Sequence, residues 1–269
     1  MTNKPFEDEV ADNIKGLTAD VALQQQSLAW NLATAHHRYT YNFQFLGRPI
    51  IQFPQDMIAV QEIIWAVRPD LVIETGIAHG GSLMLSAGLL ALLDMSDAAA
   101  NGSPYDPRLP RRKVLGIDIE IRAANRHAIE HHPLASRIEM IEGSSVAPEV
   151  VAAVQSRAQS FSNIMVFLDS SHTHDHVLAE LDAYAPLVAP GSYCVVFDTI
   201  VADSPKSMFP DRPWGPGNNP KTAVHEFLSS HPEFAIDSTI PDKLLITVAP
   251  DGYLKRLAVS ARQSISVIS

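Results

Sequence analysis

The sequence predicts an α/β fold, in which a mostly parallel sheet carries helices on both of its faces. From about residue 71 onward, short segments that are almost wholly apolar alternate with longer segments of helical character, as expected when both faces of a parallel sheet are covered. Each of the first five apolar segments ends at or next to a carboxylate. Of the 269 residues, 46% are hydrophobic and 19% are charged, which is enough apolar material for a sizeable core.

Residues 1–56 precede this alternation and are predicted to form an N-terminal arm, followed by one domain over residues 57–269. Within the arm, residues 1–40 are expected to be helical. Asp56 is predicted to cap a helix over about 57–67, because the apolar side chains of that segment recur at helical spacing.

Five parallel strands follow, and each is ended by a polar or glycine-containing loop that leads into a helix. The predicted strands are 71–73, 114–118, 137–141, 164–168 and 193–197, and the predicted helices are 82–93, 121–131, 147–158, 175–188 and 220–230. The segments 234–236 and 244–248 are expected to add an antiparallel edge to the sheet. Residues 97–112 are rich in Ala, Asn, Gly, Pro and Arg and are predicted to form a surface insertion.

Carboxylates stand at the predicted ends of all five parallel strands, namely Glu74, Asp118, Glu142, Asp169 and Asp198. In a parallel sheet these ends meet at one edge, where such folds bind their ligands. Acidic residues are also common helix caps and turn formers, which accounts for any one of the five but poorly for all of them. We therefore expect a binding site along this edge.

The loop after the first strand reads ETGIAHGGS over residues 74–82. It has neither the G-x-G-x-x-G spacing of a dinucleotide site nor the phosphate-binding pattern G-x-x-x-x-G-K-[ST]. Its glycines suit a nucleoside joined to an amino acid, so S-adenosylmethionine fits better than NAD. Glu74 is expected to hold the ammonium group and Asp118 the ribose hydroxyls, and Ser144 or Glu142 would lie near the adenine. The other predicted cofactor-binding residues are Gly76, His79, Gly80, Ser82 and Asp169.

A second set of polar residues follows the fourth and fifth strands. Asp169 and Asp198 end neighbouring strands, so their carboxylates are expected to lie together and to bind a divalent cation such as Mg²⁺. The cation would orient a substrate hydroxyl, and His172 would remove its proton. In an alternative interpretation, His172, His174 and His176 bind zinc or iron together, which the βα pattern disfavours.

The segment 210–220 is rich in proline and glycine and is interpreted either as an irregular connection or as a lid over the site. In the second interpretation Trp214 presents an apolar face to a substrate ring. Tyr41 and Gln52, which lie in the N-terminal arm, are assigned to the same substrate side.

Four segments in order resemble the cephalosporin hydroxylase/rhamnosyl O-methyltransferase family: LGRPIIQFPQD (46–56), IETGIAHGGS (73–82), LDSSHTHDHV (168–177) and RPWGPGNNP (212–220). The resemblance covers about residues 36–250. It implies a Rossmann-like fold of the class I S-adenosylmethionine-dependent methyltransferases, with a seven-stranded sheet. It also makes Asp169 and Asp198 metal ligands and His172 the base, as in relatives that use Mg²⁺ and a D-x-x-H histidine. Phe197 stands where relatives often carry a further acid.

We therefore predict an S-adenosylmethionine-dependent, Mg²⁺-assisted O-methyltransferase that acts on a hydroxyl of a sugar or of a glycosylated natural product. Two alternatives stay open. One is a tailoring hydroxylase that depends on iron and 2-oxoglutarate. The other is a non-catalytic partner subunit, which Phe197 favours slightly and the retained Asp169, His172 and Asp198 disfavour.

Charge and hydropathy limit the expected partners. The formal net charge is −10 and the longest basic run is 111–113, which disfavours nucleic acids and anionic membranes. No run of about 18 apolar residues predicts a membrane span, and the polar first ten residues do not have the pattern of a secretion signal. We expect a cytoplasmic protein with a small-molecule substrate, and residues 1–40 are a candidate contact for a homo-oligomer.

Overall fold

The computed structural model of this chain describes residues 5–258. Its first elements are two helices and a small antiparallel hairpin: α1 (Phe6–Ala19), α2 (Val21–Ala35), β1 (Phe43–Phe45) and β2 (Arg48–Ile50). This confirms the predicted helical extension at the N-terminus. Residues 1–4 and 259–269, which the predicted arm and domain include, lie outside the described residues. The division of the chain at residue 56 and the oligomer contact stay predictions.

Helix α3 (Pro54–Val67) begins earlier than predicted, and the assignment of Asp56 as its cap is wrong. Pro54 occupies the first turn, where a missing N–H costs nothing. Asp56 lies inside the helix and is buried; its carboxylate accepts hydrogen bonds from the Thr247 hydroxyl, the Val248 N–H and the Tyr253 hydroxyl. Burial raises the pKa of Asp56 to about 6.

The main sheet has seven strands, as the resemblance implies. They are β3 (Leu71–Thr75), β4 (Lys113–Asp118), β5 (Ile138–Glu142), β6 (Ile164–Leu168), β7 (Tyr193–Val196), β8 (Phe234–Ile236) and β9 (Tyr253–Arg256). Their spatial order is β5-β4-β3-β6-β7-β9-β8, with β9 antiparallel to both of its neighbours. The direction of the crossovers reverses between β3 and β6, which is where open parallel sheets bind ligands.

The remaining helices are α4 (Gly81–Asn101), α5 (Ala123–Glu130), α6 (Pro148–Ala158), α7 (His174–Tyr184), α8 (Pro220–Ser230) and α9 (Thr239–Leu244). Helices α3 and α4 bury Ile63 and Leu90 on one face of the sheet, while α6, α7 and α8 bury Val154, Leu181 and Phe227 on the other. All residues of β3, β6 and β7 are buried, which explains why these strands are apolar except for Glu74 and Thr75 at the end of β3.

Part of the predicted surface insertion at 97–112 is helical. Helix α4 continues past its predicted end at residue 93, because Ala98, Ala99 and Ala100 favour the helix. Gly102 then ends it in the left-handed conformation, with φ of 61°. Arg112, at the end of the segment, is 8% exposed and pairs with Asp94 of α4.

The predicted strand at 244–248 is wrong. Its first residue ends α9, Leu245 has a φ of 61°, and the antiparallel edge is formed instead by β8 and β9. The backbone of Val248 is used elsewhere, because its N–H binds Asp56 and its carbonyl accepts the N–H of Ile200. These long-range contacts hold the segment beside the sheet rather than in it.

By length and mean composition alone, helix α4 could cross a membrane, although it is interrupted by polar residues and contains no unbroken apolar run of about 18 residues. Its side chains Leu83, Met84 and Leu90 are completely buried in the core against the sheet. The apolar character of α4 is therefore that of a helix packed in the core. The cytoplasmic location and the absence of membrane and nucleic-acid partners stay predictions.

Candidate active site

A cavity of about 600 Å³ lies at the carboxyl ends of β3, β6 and β7. This volume falls within the range of about 300–1,000 Å³ that is usual for small-molecule sites. Nine predicted site residues line it: Tyr41, Gln52, Gly76, His79, Ser82, Asp169, His172, Asp198 and Trp214. The other four predicted residues, Glu74, Gly80, Asp118 and Ser144, are not among its lining residues.

The loop after β3 and the start of α4 pack so closely on their surroundings that two glycines there leave no room for a side chain. Gly76 has a φ of 91°, and a Cβ atom there would lie 2.0 Å from the carbonyl oxygen of Asp169. A Cβ atom at Gly81 would lie 2.2 Å from the carbonyl oxygen of Pro49. The glycines are therefore needed for the backbone packing itself, in addition to any approach of a ligand.

Asp118 holds this loop from the end of β4. Its Oδ2 accepts the N–H groups of Ile77 at 2.8 Å and of Ala78 at 3.1 Å, and its Oδ1 accepts the N–H of Glu120 at 3.2 Å. A carboxylate has about four acceptor positions, so three are occupied by the backbone. One position is left for a ligand without any change in the loop, rather than the two that a bidentate grip on ribose requires.

Arg48 and Asn125 hold the same loop from the other side, and the sequence offered no signal for either role. The Arg48 guanidinium donates to the carbonyl oxygen of His79 at 2.7 and 3.0 Å and to Oδ1 of Asn125 at 2.9 Å. Asn125 in turn donates to the carbonyl oxygen of Ala78 at 2.8 Å. The hairpin of β1 and β2 therefore positions the predicted cofactor loop.

Glu74 is buried behind the cavity, with 2% of its surface exposed. It accepts a hydrogen bond from the Ser82 hydroxyl, and its second oxygen has no partner among the described residues. Burial raises the pKa of Glu74 to about 7. A small void beside it is also bordered by Gln52 and Asp169.

Asp169, His172 and Asp198 come together at the cavity wall, where one ligand atom of each lies within 4.8 Å of the others. His172 Nε2 is 3.4 Å from Oδ2 of Asp198, and Gln52 Nε2 is 3.4 Å from Oδ2 of Asp169. Burial and the nearby charges of Asp198 and Glu74 raise the pKa of Asp169 well above its ordinary value. Asp198 has a φ of 55°, a strained conformation of the kind that is concentrated at functional sites.

The donor set of this cluster fits a hard divalent cation. Two carboxylates face each other, and no Lys or Arg of the described residues forms an ion pair with either of them. Oxygen ligands of this kind are those that Mg²⁺ prefers. Phe197, where the resemblance leads us to expect a further acid in relatives, is 5% exposed and packs on Phe167 with ring centroids 6.0 Å apart. It is a core residue here and supplies no ligand.

The loop before α8 brings Trp214 to His172, with ring centroids 4.8 Å apart and ring planes at 90°. Asn218 accepts the N–H of His174 at 2.7 Å and donates to the carbonyl oxygen of Pro213 at 2.8 Å. Asn219 caps α8 in a capping box with Thr222. The loop is thus fastened to the start of α7, which keeps Trp214 beside His172.

The alternative three-histidine site is not formed. His174 contacts the Thr222 hydroxyl at 2.9 Å and Glu226 at 3.1 Å. His176 contacts the hydroxyls of Ser145 and Ser170, both at 3.1 Å. His172, His174 and His176 therefore have separate sets of partners, and only the first of them lines the cavity.

Comparison with known proteins agrees with this geometry. Residues 37–257 match the family described as Rhamnosyl O-methyltransferase/CmcI. The chain belongs to this family. A rhamnosyl O-methyltransferase of Mycobacterium bovis is 28% identical over 233 residues, which cover 84% of this chain and 85% of the relative. One of Mycobacterium leprae is 28% identical over 234 residues, which cover 84% and 91%.

The solved structures show the same fold. A structure of CmcI with Mg and SAM has a TM-score of 0.50 and 17% identity, and the match covers 81% of this chain and 78% of that one. The family match confirms the resemblance seen in the four sequence segments. It also confirms the predicted S-adenosylmethionine-dependent O-methyltransferase and supports it over the hydroxylase and the non-catalytic subunit.

Proposed function

We propose that this protein transfers the methyl group of S-adenosylmethionine to a hydroxyl of a sugar or of a glycosylated natural product, with Mg²⁺ in the site. The observation that carries the proposal is the meeting of Asp169, His172 and Asp198 in a cavity that the loop after β3 also lines. The names of the mycobacterial relatives and the Mg and SAM of the CmcI structure support it.

We assign the cofactor to the carboxyl ends of β3, β4 and β5. Glu74 is a buried acid without a counter-charge, so an ammonium group nearby would stabilise its ionised form. Asp118 has one free acceptor position for a ribose hydroxyl. Ser144 follows β5, where the adenine would lie. Gly76, His79, Gly80 and Ser82 would then surround the donor through the loop.

We assign the reacting end to β6 and β7. Asp169 and Asp198 would hold Mg²⁺, which when bound lowers the pKa of the acceptor hydroxyl. His172 accepts the hydroxyl proton, and Asp198, 3.4 Å from Nε2, stabilises the imidazolium that results. The oxygen then forms a bond to the methyl carbon while the bond from that carbon to sulfur breaks, and His172 passes its proton to water.

We assign Trp214, Tyr41 and Gln52 to the acceptor. Trp214 packs edge-on against His172, which limits rotation of the imidazole and keeps it facing the cavity. Tyr41 contributes a half-exposed ring to the same cavity. Gln52 donates to Asp169, and its own carbonyl oxygen is buried without a partner among the described residues, so its role is to orient the Asp169 carboxylate at the acceptor side of the cavity.

The proposal is tested with methyl-labelled S-adenosylmethionine and a rhamnose-bearing glycoside. We expect labelled product, suppression of the reaction by EDTA, and recovery when Mg²⁺ is added in excess. Transfer that is indifferent to EDTA would contradict the assignment of the metal. A titration calorimetry experiment that shows no binding of S-adenosylmethionine would contradict the proposal as a whole.

The base is tested with His172→Ala. Its turnover is expected to fall by about 10²–10⁴-fold, since that is the usual contribution of a positioned general base. Its affinity for S-adenosylmethionine is expected to stay unchanged. His174→Ala is the matched control, because His174 lies two residues away but contacts Thr222 and Glu226 instead of the cavity. Equal turnover in the two variants would remove His172 as the base.

A further inference from the structure

Residues 48–52 contact both the loop between β3 and α4, which we call the cofactor loop (residues 76–80), and the proposed metal ligand Asp169. We propose that Arg48 is a positioning residue through which binding of S-adenosylmethionine orders the acceptor side of the cavity. This inference rests on the proposed function, which assigns the cofactor to that loop and the acceptor to the wall that contains Gln52.

The cofactor loop is held through both its N–H groups and its carbonyl groups. The N–H groups of Ile77 and Ala78 donate to the Asp118 carboxylate. The Arg48 guanidinium donates to the carbonyl oxygen of His79, from Nη2 at 2.7 Å and from Nε at 3.0 Å. A cofactor hydroxyl at the free acceptor position of Asp118 would contact the group that fixes the N–H groups. It would therefore stabilise the loop conformation that presents the His79 carbonyl to Arg48.

This loop conformation is one that surrounding contacts must maintain. Ala78, at the centre of the loop, has a φ of 46°, in the left-handed region that a residue with a side chain rarely adopts. Strained backbone of this kind persists only where the surrounding structure stabilises it. A bound cofactor and Arg48 would contact the loop at different atoms but stabilise the same conformation, so each would strengthen the contacts of the other.

The hairpin of β1 and β2 carries this effect to the acceptor side. Arg48 lies in β2, where its partner in the antiparallel ladder is Phe45 of β1. Tyr41 precedes the hairpin and Gln52 follows it, and both line the cavity. Gln52 Nε2 is also 3.4 Å from Oδ2 of Asp169. Because the two strands form one paired unit between Tyr41 and Gln52, the position of the hairpin determines where both side chains lie.

The hairpin has a separate attachment to the core, so Arg48 is not required to hold it there. The side chains of Phe45 and Leu46 lie against Gly88 of α4, each 3.4 Å from the position of a Cβ atom on that glycine. This apolar contact does not involve the guanidinium. Loss of the guanidinium is therefore expected to leave the hairpin in place and to remove its hydrogen bonds to the cofactor loop.

The test is hydrogen–deuterium exchange of the full chain, measured by mass spectrometry with and without a saturating concentration of S-adenosylmethionine. We expect the cofactor to slow exchange in peptides from residues 76–82 and, through Arg48, in peptides from residues 43–52. The expected slowing in the second segment is about tenfold, which lies within the usual range of coupling between two sites. In Arg48→Ala the slowing is expected to remain at 76–82 and to be lost at 43–52.

Asn125→Ala is the matched variant, because Asn125 holds the same loop through the carbonyl oxygen of Ala78 but lies in α5, outside the hairpin. It leaves both hydrogen bonds from Arg48 to His79 intact, so the slowing at 43–52 is expected to persist. Arg48→Lys offers the His79 carbonyl an ammonium in place of the planar fork and is expected to retain part of the slowing. This intermediate result would show that Arg48 acts through that contact and is not needed merely for folding.

The link is overturned if the cofactor slows exchange at 76–82 but not at 43–52 in the wild type. Full slowing at 43–52 in Arg48→Ala, or an equal loss in Arg48→Ala and Asn125→Ala, overturns it as well. If Arg48→Ala does not fold, as judged by circular dichroism, Arg48→Lys replaces it, and undiminished slowing there overturns the proposal. Failure of the proposed function is seen separately, as absence of S-adenosylmethionine binding by the wild-type chain in titration calorimetry.

Discussion

Two clusters of acidic side chains in this protein differ in their counter-charges. In the first, which we call the paired cluster, Asp94 and Asp97 of α4 form ion pairs with Arg68, Arg112 and Arg137. Asp94 is 3% exposed and Arg137 is 1% exposed, so these charges are removed from water together. Burial raises the pKa of Asp94, but the hydrogen bonds from Arg137 and Arg112 outweigh it and hold that pKa below its ordinary value.

The second, which we call the rim cluster, consists of Glu74, Asp169 and Asp198 at the carboxyl ends of β3, β6 and β7. None of these acids forms an ion pair with a Lys or Arg of the described residues. Burial raises the pKa of Glu74 to about 7, and burial together with Asp198 raises that of Asp169. The paired cluster is thus neutralised by arginines, whereas the rim cluster leaves its charge for a cationic ligand to balance.

The largest expected difference is in stability. Asp94→Asn leaves Arg112 and Arg137 buried without their main counter-charge, so the free energy of unfolding is expected to fall by about 3–5 kcal/mol. Asp169→Asn removes a carboxylate that has like charges beside it, so in divalent-free buffer the same free energy is expected to stay equal or to rise. Urea denaturation measures both variants. Similar losses in the two would show that the clusters do not differ.

The pH dependence of stability is expected to have opposite signs in the two clusters. Glu74 keeps its proton in the folded state up to a pH of about 7, whereas in the unfolded chain it loses it near 4.5. The free energy of unfolding is therefore expected to fall by about 3 kcal/mol as the pH rises from 4.5 to about 7. In Glu74→Gln this fall is expected to be absent.

Asp94 behaves in the opposite way, because its pKa is lowered by folding. The stability that the ionised Asp94 carboxylate contributes is complete above a pH of 3.8, the ordinary aspartate pKa, and is lost as the pH falls through the lowered pKa of the folded state.

Urea denaturation of the wild type and of Glu74→Gln between pH 4 and 8, in EDTA, measures the pH dependence that Glu74 contributes. A difference between the two proteins that is constant with pH would contradict the assignment.

A smaller effect is expected from Mg²⁺. At a concentration of about 100 times its Kd, a ligand that binds only the folded state stabilises it by about 2.7 kcal/mol. We expect this gain in the wild type and its loss in Asp198→Asn, measured as the change in Tm on addition of Mg²⁺. Asp97→Asn is the control, since Asp97 belongs to the paired cluster and its replacement leaves the rim intact. A loss of the Mg²⁺ response in Asp97→Asn as well would contradict a site at the rim.

Local sequence patterns were sufficient to predict the five parallel strands and the acids at their ends, but not the antiparallel strand β9. Strands covered on both faces are mostly apolar, so β6, β7 and the first three residues of β3 stand out as short unbroken runs. Once the strands are parallel, their carboxyl ends must share an edge, and the residues that follow them must approach each other. Asp169 and Asp198 were predicted to lie together for this reason, although 29 positions separate them.

The errors share a cause. Asp56 was assigned to a helix cap from its neighbours, but its three hydrogen-bond partners lie near residue 250. The hydrogen bonds of Asp56 to Thr247 and Val248 also hold these two residues away from the sheet. Periodicity and capping preferences describe contacts within a few residues and carry no information on such partners.

The sequence by itself determined the α/β alternation, the family, and which acids end the strands. Only the tertiary structure decided which acids are neutralised, since Arg112 and Arg137 lie 18 and 43 residues from Asp94. It also decided that Arg48 and Asn125 hold the cofactor loop. The reason is physical: the free energy of a charge depends on burial and on the distances to other charges, and the folded chain sets both.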